Sequence, residues 1–300
     1  MNYIHQPGDP QGRPTYIGRE VLMQGGVIAA DKGRLEAHCD AVLNHVDPDV
    51  RFRVVGHRVL YSALYAERMS SDHPEDKLFG SVPEMDIGLW ILVWGGRSGD
   101  LPGFYWLPMA IFVDSTAALM TGRELYGYPK QFGRIVRRTA GAGDFSVTLG
   151  AVSFMRRDAS EIAREHEVLR VESRVSQVVT AVHDNAELLL DGLRQEIAGD
   201  VPDAGAAALL PPFVGMPMVF LRQMRDATAI DAAIVREIVT VTVKPTTLRG
   251  VGVAGGHTLI LNDLASYPLR EITGCGASTP IEHCFWAEFD FVVGTARKLA

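Results

Sequence analysis

The chain has 300 residues, 47% of them apolar, with 36 acidic against 29 basic side chains and a net charge of −7. That balance supports a sizeable buried core and argues against nucleic acid or an anionic membrane as the partner. Cys39, Cys275 and Cys284 are odd in number and lack CxxC spacing, which reads as a reduced, cytoplasmic protein without a disulfide framework.

Residues 1–32 read as an N-terminal arm: turn residues without the basic and apolar regions of a signal peptide, then a short apolar run at 21–30. Between 32 and 46 the positions Leu35, Cys39, Val42, Leu43 and Val46 follow helical spacing, and Asp47-Pro48 stops the helix. Strand-like runs follow at 52–55, 59–64, 87–94 and 104–113. The last two are separated by Gly/Pro turn residues and read as a hairpin. Both are too short to span a bilayer. A helix is expected over 117–125, with Asp114 or Ser115 as its N-cap. Further strands are expected at 145–152, 168–171, 175–182, 217–222, 238–243, 258–261 and 285–293. A helix-and-loop insertion is expected at 186–212. No repeat, βαβ rhythm or long linker is visible, so the chain reads as one α+β, strand-rich domain over 1–300, organised around a curved or closed sheet.

The stretch 121–133, TGRELYGYPKQFG, concentrates the chemistry. Pro129 restricts Tyr128 to extended geometry, so Lys130 falls where a helix stops and the strand QFGRIVRR begins. A lysine framed by Tyr126, Tyr128 and Phe132 is either a solvated amine beside a turn or a nucleophile that forms a Schiff base with a carbonyl compound. The wording GRELYGYPKQFG resembles the lysine motif of the acetoacetate decarboxylase family, in which a Gly-Arg-Glu helix end leads into Tyr/Phe-Pro-Lys. VDSTAALMTGREL, Lys244-Pro245-Thr246, Asn262-Asp263-Leu264 and Leu269-Arg270-Glu271-Ile272 extend the resemblance over nearly the whole chain. It implies a closed, cone-like β-barrel with a few peripheral helices, a reactive Lys130 pointing into its cavity, no cofactor, and a homo-oligomer. The activity implied is decarboxylation of a small 3-oxo acid such as acetoacetate. The alternatives are an aldolase, dehydratase or cyclase acting on a 2-oxo acid, and a non-catalytic small-molecule-binding barrel.

A Schiff-base lysine needs its free amine. Bringing a pKa of about 10.4 down to neutrality takes roughly four units, about 5 kcal/mol against the ammonium form. Family members often supply a second lysine next in sequence; here that position is Gln131, which on a strand points to the other face. Desolvation is then the expected cause, with Trp90, Trp94, Phe104, Trp106, Phe112 and Tyr128 as candidate walls. The resemblance places a proton-transferring carboxylate in SVPEMDIG, where Glu84 and Asp86, two apart, share one strand face; Glu84 is favoured. Tyr126, four residues before Lys130, is a further acid. Trp106, Tyr128, Gln131 and Arg123 are expected at the substrate. Two family features are missing: Glu36 stands where the decarboxylases have an arginine for the substrate carboxylate, and a second carboxylate position falls near Tyr61 or Ser62.

Other motifs fail their context. Gly250 to Gly255 spell G-x-G-x-x-G, but strand-like HTLILND follows and no helix opens there. His257, His283 and Cys284 lack a fourth partner at metal spacing.

Overall fold

The computed structural model describes residues 12–141, 144–173, 216–229 and 231–299. The strand expected at 175–182 and the helix-and-loop insertion at 186–212 lie outside the described residues. Among the described residues, fourteen strands form one continuous sheet: β1 Tyr16–Ala29, β2 Val50–Val54, β3 Arg58–Ser71, β4 Val82–Arg97, β5 Gly103–Val113, β6 Lys130–Phe132, β7 Arg134–Gly141, β8 Asp144–Ser153, β9 Arg164–Ser173, β10 Met216–Arg225, β11 Ala233–Val253, β12 His257–Leu261, β13 Ser278–Val293 and β14 Arg297–Lys298. Within it, β11-β10-β5-β4-β3-β1-β13 follow one another, and β13 pairs back onto β11. Seven strands thus close into a ring, as the expected closed barrel requires. Beyond the ring, β12, β9, β8 and β7 continue the sheet from the other end of β13.

Where β4 and β5 are covered on both faces, their sequences read as nearly continuous apolar runs and conceal the period of two. The ring's inner face carries Val21, Ala66, Phe220, Val239, Phe289 and Phe291. Val59, Ile87, Ile91 and Leu107 point outward instead, into a second core with Leu149, Val171 and Leu259 of the outer strands. Leu35 and Leu43 cap that outer core from helix α1 (Lys32–Cys39) and the wide turn Asp40–Asn44 after it. Each such fully buried Leu or Ile contributes about 1.5–3 kcal/mol. The Asp31 carboxylate caps α1 by accepting from the Arg34 N–H at 2.9 Å, and Leu35, Cys39 and Leu43 hold the expected helical spacing.

The arm expected at 1–32 is corrected. Tyr16–Ala29 is an interior strand, paired with β13 on one side and β3 on the other. Gly25 and Gly26 look like turn punctuation but mark close approaches. A Cβ on Gly25 would stand 2.5 Å from the Tyr61 carbonyl oxygen, and one on Gly26 2.5 Å from Ile281 Cγ2.

Candidate active site

Strand β4 sets up the site by alternation. Met85, Ile87, Leu89 and Ile91 belong to the outer core, so Glu84, Asp86 and Trp90 turn to the inside of the ring, where all three line a cavity of about 460 Å³. The hairpin to β5 is as expected, with Asp86 opposite Val113 and Trp94 opposite Phe104.

Lys130 arrives from the other side. Helix α2 (Thr116–Thr121) is capped by Ser115, whose Oγ accepts from the Ala118 N–H at 3.3 Å. The alternative cap, Asp114, accepts from the Met85 N–H instead, at 2.8 Å. The helix widens over Gly122–Tyr126 and ends at Gly127, in the left-handed region at φ 78°, a conformation glycine adopts without strain. A Cβ on Gly127 would also stand 2.6 Å from Arg222 Cα. Pro129 then forces an extended exit: the Lys130 N–H reaches back to the Tyr128 carbonyl at 2.7 Å, and Lys130 pairs in parallel with Ile111 of β5. Strand β10 meets β5 at a single pair, Met218 with Trp106, so β6 lies beside β5 next to the joint between β5 and β10.

The three ionisable side chains converge. Lys130 Nζ lies 2.8 Å from Glu84 Oε1 and 3.3 Å from Asp86 Oδ2. The Lys130 and Glu84 side chains are each 9% exposed; Asp86 is 25% exposed, its surface turned to the cavity. Asp86 Oδ1 has no hydrogen-bond partner. Burial, the largest single influence on the amine, pushes it down. The charges of Asp86 and Glu84 and their hydrogen bonds push it further up, so Lys130 sits above the ordinary lysine value. Burial also raises Glu84, but the Lys130 ammonium and a hydrogen bond from Asp86 leave it below its usual value. Asp86 is held well above its own, by burial and then by the Glu84 charge. The cluster thus holds Lys130 as the ammonium, and of its two carboxyl groups Glu84 gives up a proton more readily and Asp86 keeps one more readily. This corrects the expected lowering of the lysine by a dry pocket. Lys130 is buried, but two carboxyl groups within 3.3 Å outweigh that burial.

Of the other residues singled out, Trp106, Tyr128 and Tyr126 line the cavity. Lys130 Nζ stands 5.5 Å from the centre of the Tyr128 ring, a cation–π contact. The Tyr126 hydroxyl donates to the Gly294 carbonyl at 3.1 Å. Gln131 and Arg123 are not on the lining. Gln131 follows the strand's alternation to the opposite face, and Arg123 donates to the Lys130 carbonyl at 2.9 Å, holding the lysine's main chain from behind. Trp90 is the third aromatic wall, its indole N–H donating to Ser62 Oγ at 2.8 Å. The other walls expected are elsewhere: Trp94 packs on Phe104 at 4.5 Å and Phe112 on Tyr267 at 5.0 Å. Glu36 is exposed on α1 and contributes nothing here. Gly122 escaped notice although it stands in the motif: a Cβ there would meet Lys130 Cδ at 2.6 Å and Cε at 3.0 Å. Gly250 and Gly252 instead make room for the Trp286 indole. Among the described residues no cluster of three or more His, Cys, Asp or Glu is placed to hold a metal, and no helix is long and apolar enough to cross a membrane.

No protein-family model matches the chain, and no curated protein matches it in sequence. Solved structures match it in fold. The acetoacetate decarboxylase of Legionella pneumophila superposes with a TM-score of 0.63 at 11% identity, covering 96% of this chain and 88% of that one. An acetoacetate decarboxylase-like enzyme from Sphingomonas wittichii gives 0.57 at 16% identity, covering 95% and 92%. The enduracididine biosynthesis enzyme MppR, complexed with pyruvate, gives 0.52 at 13% identity, covering 96% and 91%. The chain has the acetoacetate decarboxylase-like fold.

Proposed function

We propose, from that shared fold and from the buried Lys130–Glu84–Asp86 triad, that the protein is a lyase working through a Schiff base on Lys130. The observation that carries the reading is the contact of Lys130 Nζ with two carboxyl groups at 2.8 and 3.3 Å, on the wall of a largely apolar cavity. Glu84, at hydrogen-bond distance, takes a proton from the ammonium and frees the amine without release to bulk water. The amine adds to the carbonyl carbon of the substrate. Asp86, facing the cavity and the readier of the two carboxyl groups to hold a proton, protonates the carbonyl oxygen; the nitrogen then gives up a proton, which passes through the carboxyl groups to the new hydroxyl, and that leaves as water. The resulting iminium draws electrons from the neighbouring carbon: a bond there breaks, the pair enters the enamine, and the carboxyl groups return a proton to carbon. Hydrolysis then regenerates Lys130.

Decarboxylation of a 3-oxo acid and aldol or dehydration chemistry on a 2-oxo acid share this intermediate. Among the described residues Lys130 is the one cation on the cavity lining, so no fixed positive group stands ready for a substrate carboxylate. That bears equally on both routes, since a 2-oxo acid carries a carboxylate just as a 3-oxo acid does. Borohydride reduction in the presence of a panel of carbonyl compounds, followed by intact mass and peptide mapping, tests the reading. The expected result is a covalent adduct on Lys130 that Lys130→Arg removes, since an arginine is not deprotonated to attack. A folded protein that takes up no carbonyl compound at Lys130 sinks it.

A further inference from the structure

The cavity says more about the substrate than its reactive corner does. Apart from the triad its wall is made by the inner faces of β1, β3, β10, β11 and β13, with Leu64, Met69, Met218, Val243, Phe289 and Phe291 among the lining residues. The thioethers of Met23, Met69, Met216 and Met218 give that wall adaptable, apolar surface. Phe79 also borders the cavity and is 87% exposed, which puts a large apolar side chain where the space meets solvent. A volume of about 460 Å³ falls in the range of roughly 300–1,000 Å³ that takes drug-sized ligands. A short oxo acid would leave most of it as water against methionine and phenylalanine.

Charge points the same way. An anionic substrate entering this cavity meets the ionised Glu84 and no cation apart from the Lys130 it must react with, among the described residues. An unpaired carboxylate in such surroundings is strongly disfavoured. Asp86, whose side chain is 25% exposed and lines the cavity, is a hydrogen-bonding group for a neutral carbonyl or hydroxyl oxygen beside the amine.

Resting on the Schiff-base reading, we infer that the substrate is a neutral carbonyl compound with an extended apolar tail, an aldehyde or ketone whose reactive carbon reaches Lys130 while its tail lies along the methionine and phenylalanine wall.

The test is a homologous series of methyl ketones, from acetone to the nine-carbon member, trapped on the wild-type protein with borohydride alongside pyruvate and acetoacetate. The concentration giving half-maximal adduct is expected to fall about three- to fourfold for each methylene added, the gain per buried CH2, until the cavity is full. The oxo acids are expected to need concentrations at least ~10-fold above that of the longest ketone. A flat series, or oxo acids trapping as well as the longest ketone, overturns the inference and leaves the Schiff base standing. If no compound is trapped the Schiff base falls. The apolar site is then read without chemistry, by displacing the neutral dye Nile red from the wild-type protein with the same ketones. The same dependence on chain length supports the apolar site, and its absence overturns it.

Discussion

Lys130 Nζ stands 2.8 Å from Glu84 Oε1, and both side chains are shielded from bulk water. A buried amine alone would lose its proton; this one keeps it because the carboxylate beside it is buried too. On the proposed Schiff-base reading, the free amine arises by transfer of that proton to Glu84 within the site, not by titration against solvent.

A pH signature follows. Because Lys130 lies above and Glu84 below their ordinary values, the same resting pair persists across the neutral range. The rate of adduct formation on Lys130 is expected to be level there and to fall in acid, as Glu84 takes up a proton and can no longer accept one from Lys130. A borohydride-trapping rate that rises through a single step between roughly pH 6 and 8 would contradict this arrangement.

Stability should respond to Asp86 in an unusual direction. Its folded value is raised, so it opposes folding wherever the unfolded carboxyl, near pH 3.9, is ionised. Glu84, lowered in the fold, stabilises above about pH 4.3 and loses that contribution as pH falls through its folded value. Lys130, raised, stabilises below about pH 10.4 and loses that contribution as pH climbs through its folded value. Asp86→Asn removes the penalty while keeping the shape. Urea unfolding at pH 7 is expected to show a gain of order 1 kcal/mol, shrinking towards zero near pH 3, with adduct formation reduced.

Removing the cation should do the reverse. Lys130→Met leaves Glu84 ionised without its partner in a buried site, at an expected cost of about 3–5 kcal/mol. Adding Glu84→Gln should recover most of that loss, since a neutral amide no longer needs the ammonium. Chemical denaturation of the two variants decides it; additive losses would show that the two groups do not interact.

Gly122→Ala tests how the amine is aimed. The new methyl would come within 2.6 Å of Lys130 Cδ, and the outer half of a lysine stem yields more readily than the backbone. Alanine also gains about 0.5–1 kcal/mol of helical preference. The melting temperature should therefore change little while the rate of adduct formation drops by about 10-fold or more, as a misplaced reacting atom predicts. A variant that traps at the wild-type rate would show that Lys130 adjusts without consequence.

How much of this was legible in the sequence depended on whether local wording carried it. The lysine junction was readable because Pro129 and the helix before it are local signals, and Glu84 with Asp86 because their spacing of two fixes a common face. Which aromatics bound the cavity was not: Trp90 and Trp94 lie on one strand four residues apart, yet one lines the cavity and the other packs on Phe104 further along the hairpin. The lysine's charge state was misjudged because burial was weighed without both carboxyl groups, whose distances only the folded ring supplies. The strand Tyr16–Ala29 was read as an arm because its glycines resemble turn signals when their neighbours across the sheet are unseen.

Strand β4 keeps two unlike chemistries on its opposite faces, acids inward and aliphatics outward. A slip of β4 by one residue against its neighbours would exchange them, sending the carboxyl groups among Ile, Leu and Val and presenting Met85 and Ile87 to the amine. Changes of register are thus closed to this segment in a way that changes of side chain are not. Divergence in specificity within such a scaffold has to proceed by substitution along the inner face, one alternate position at a time.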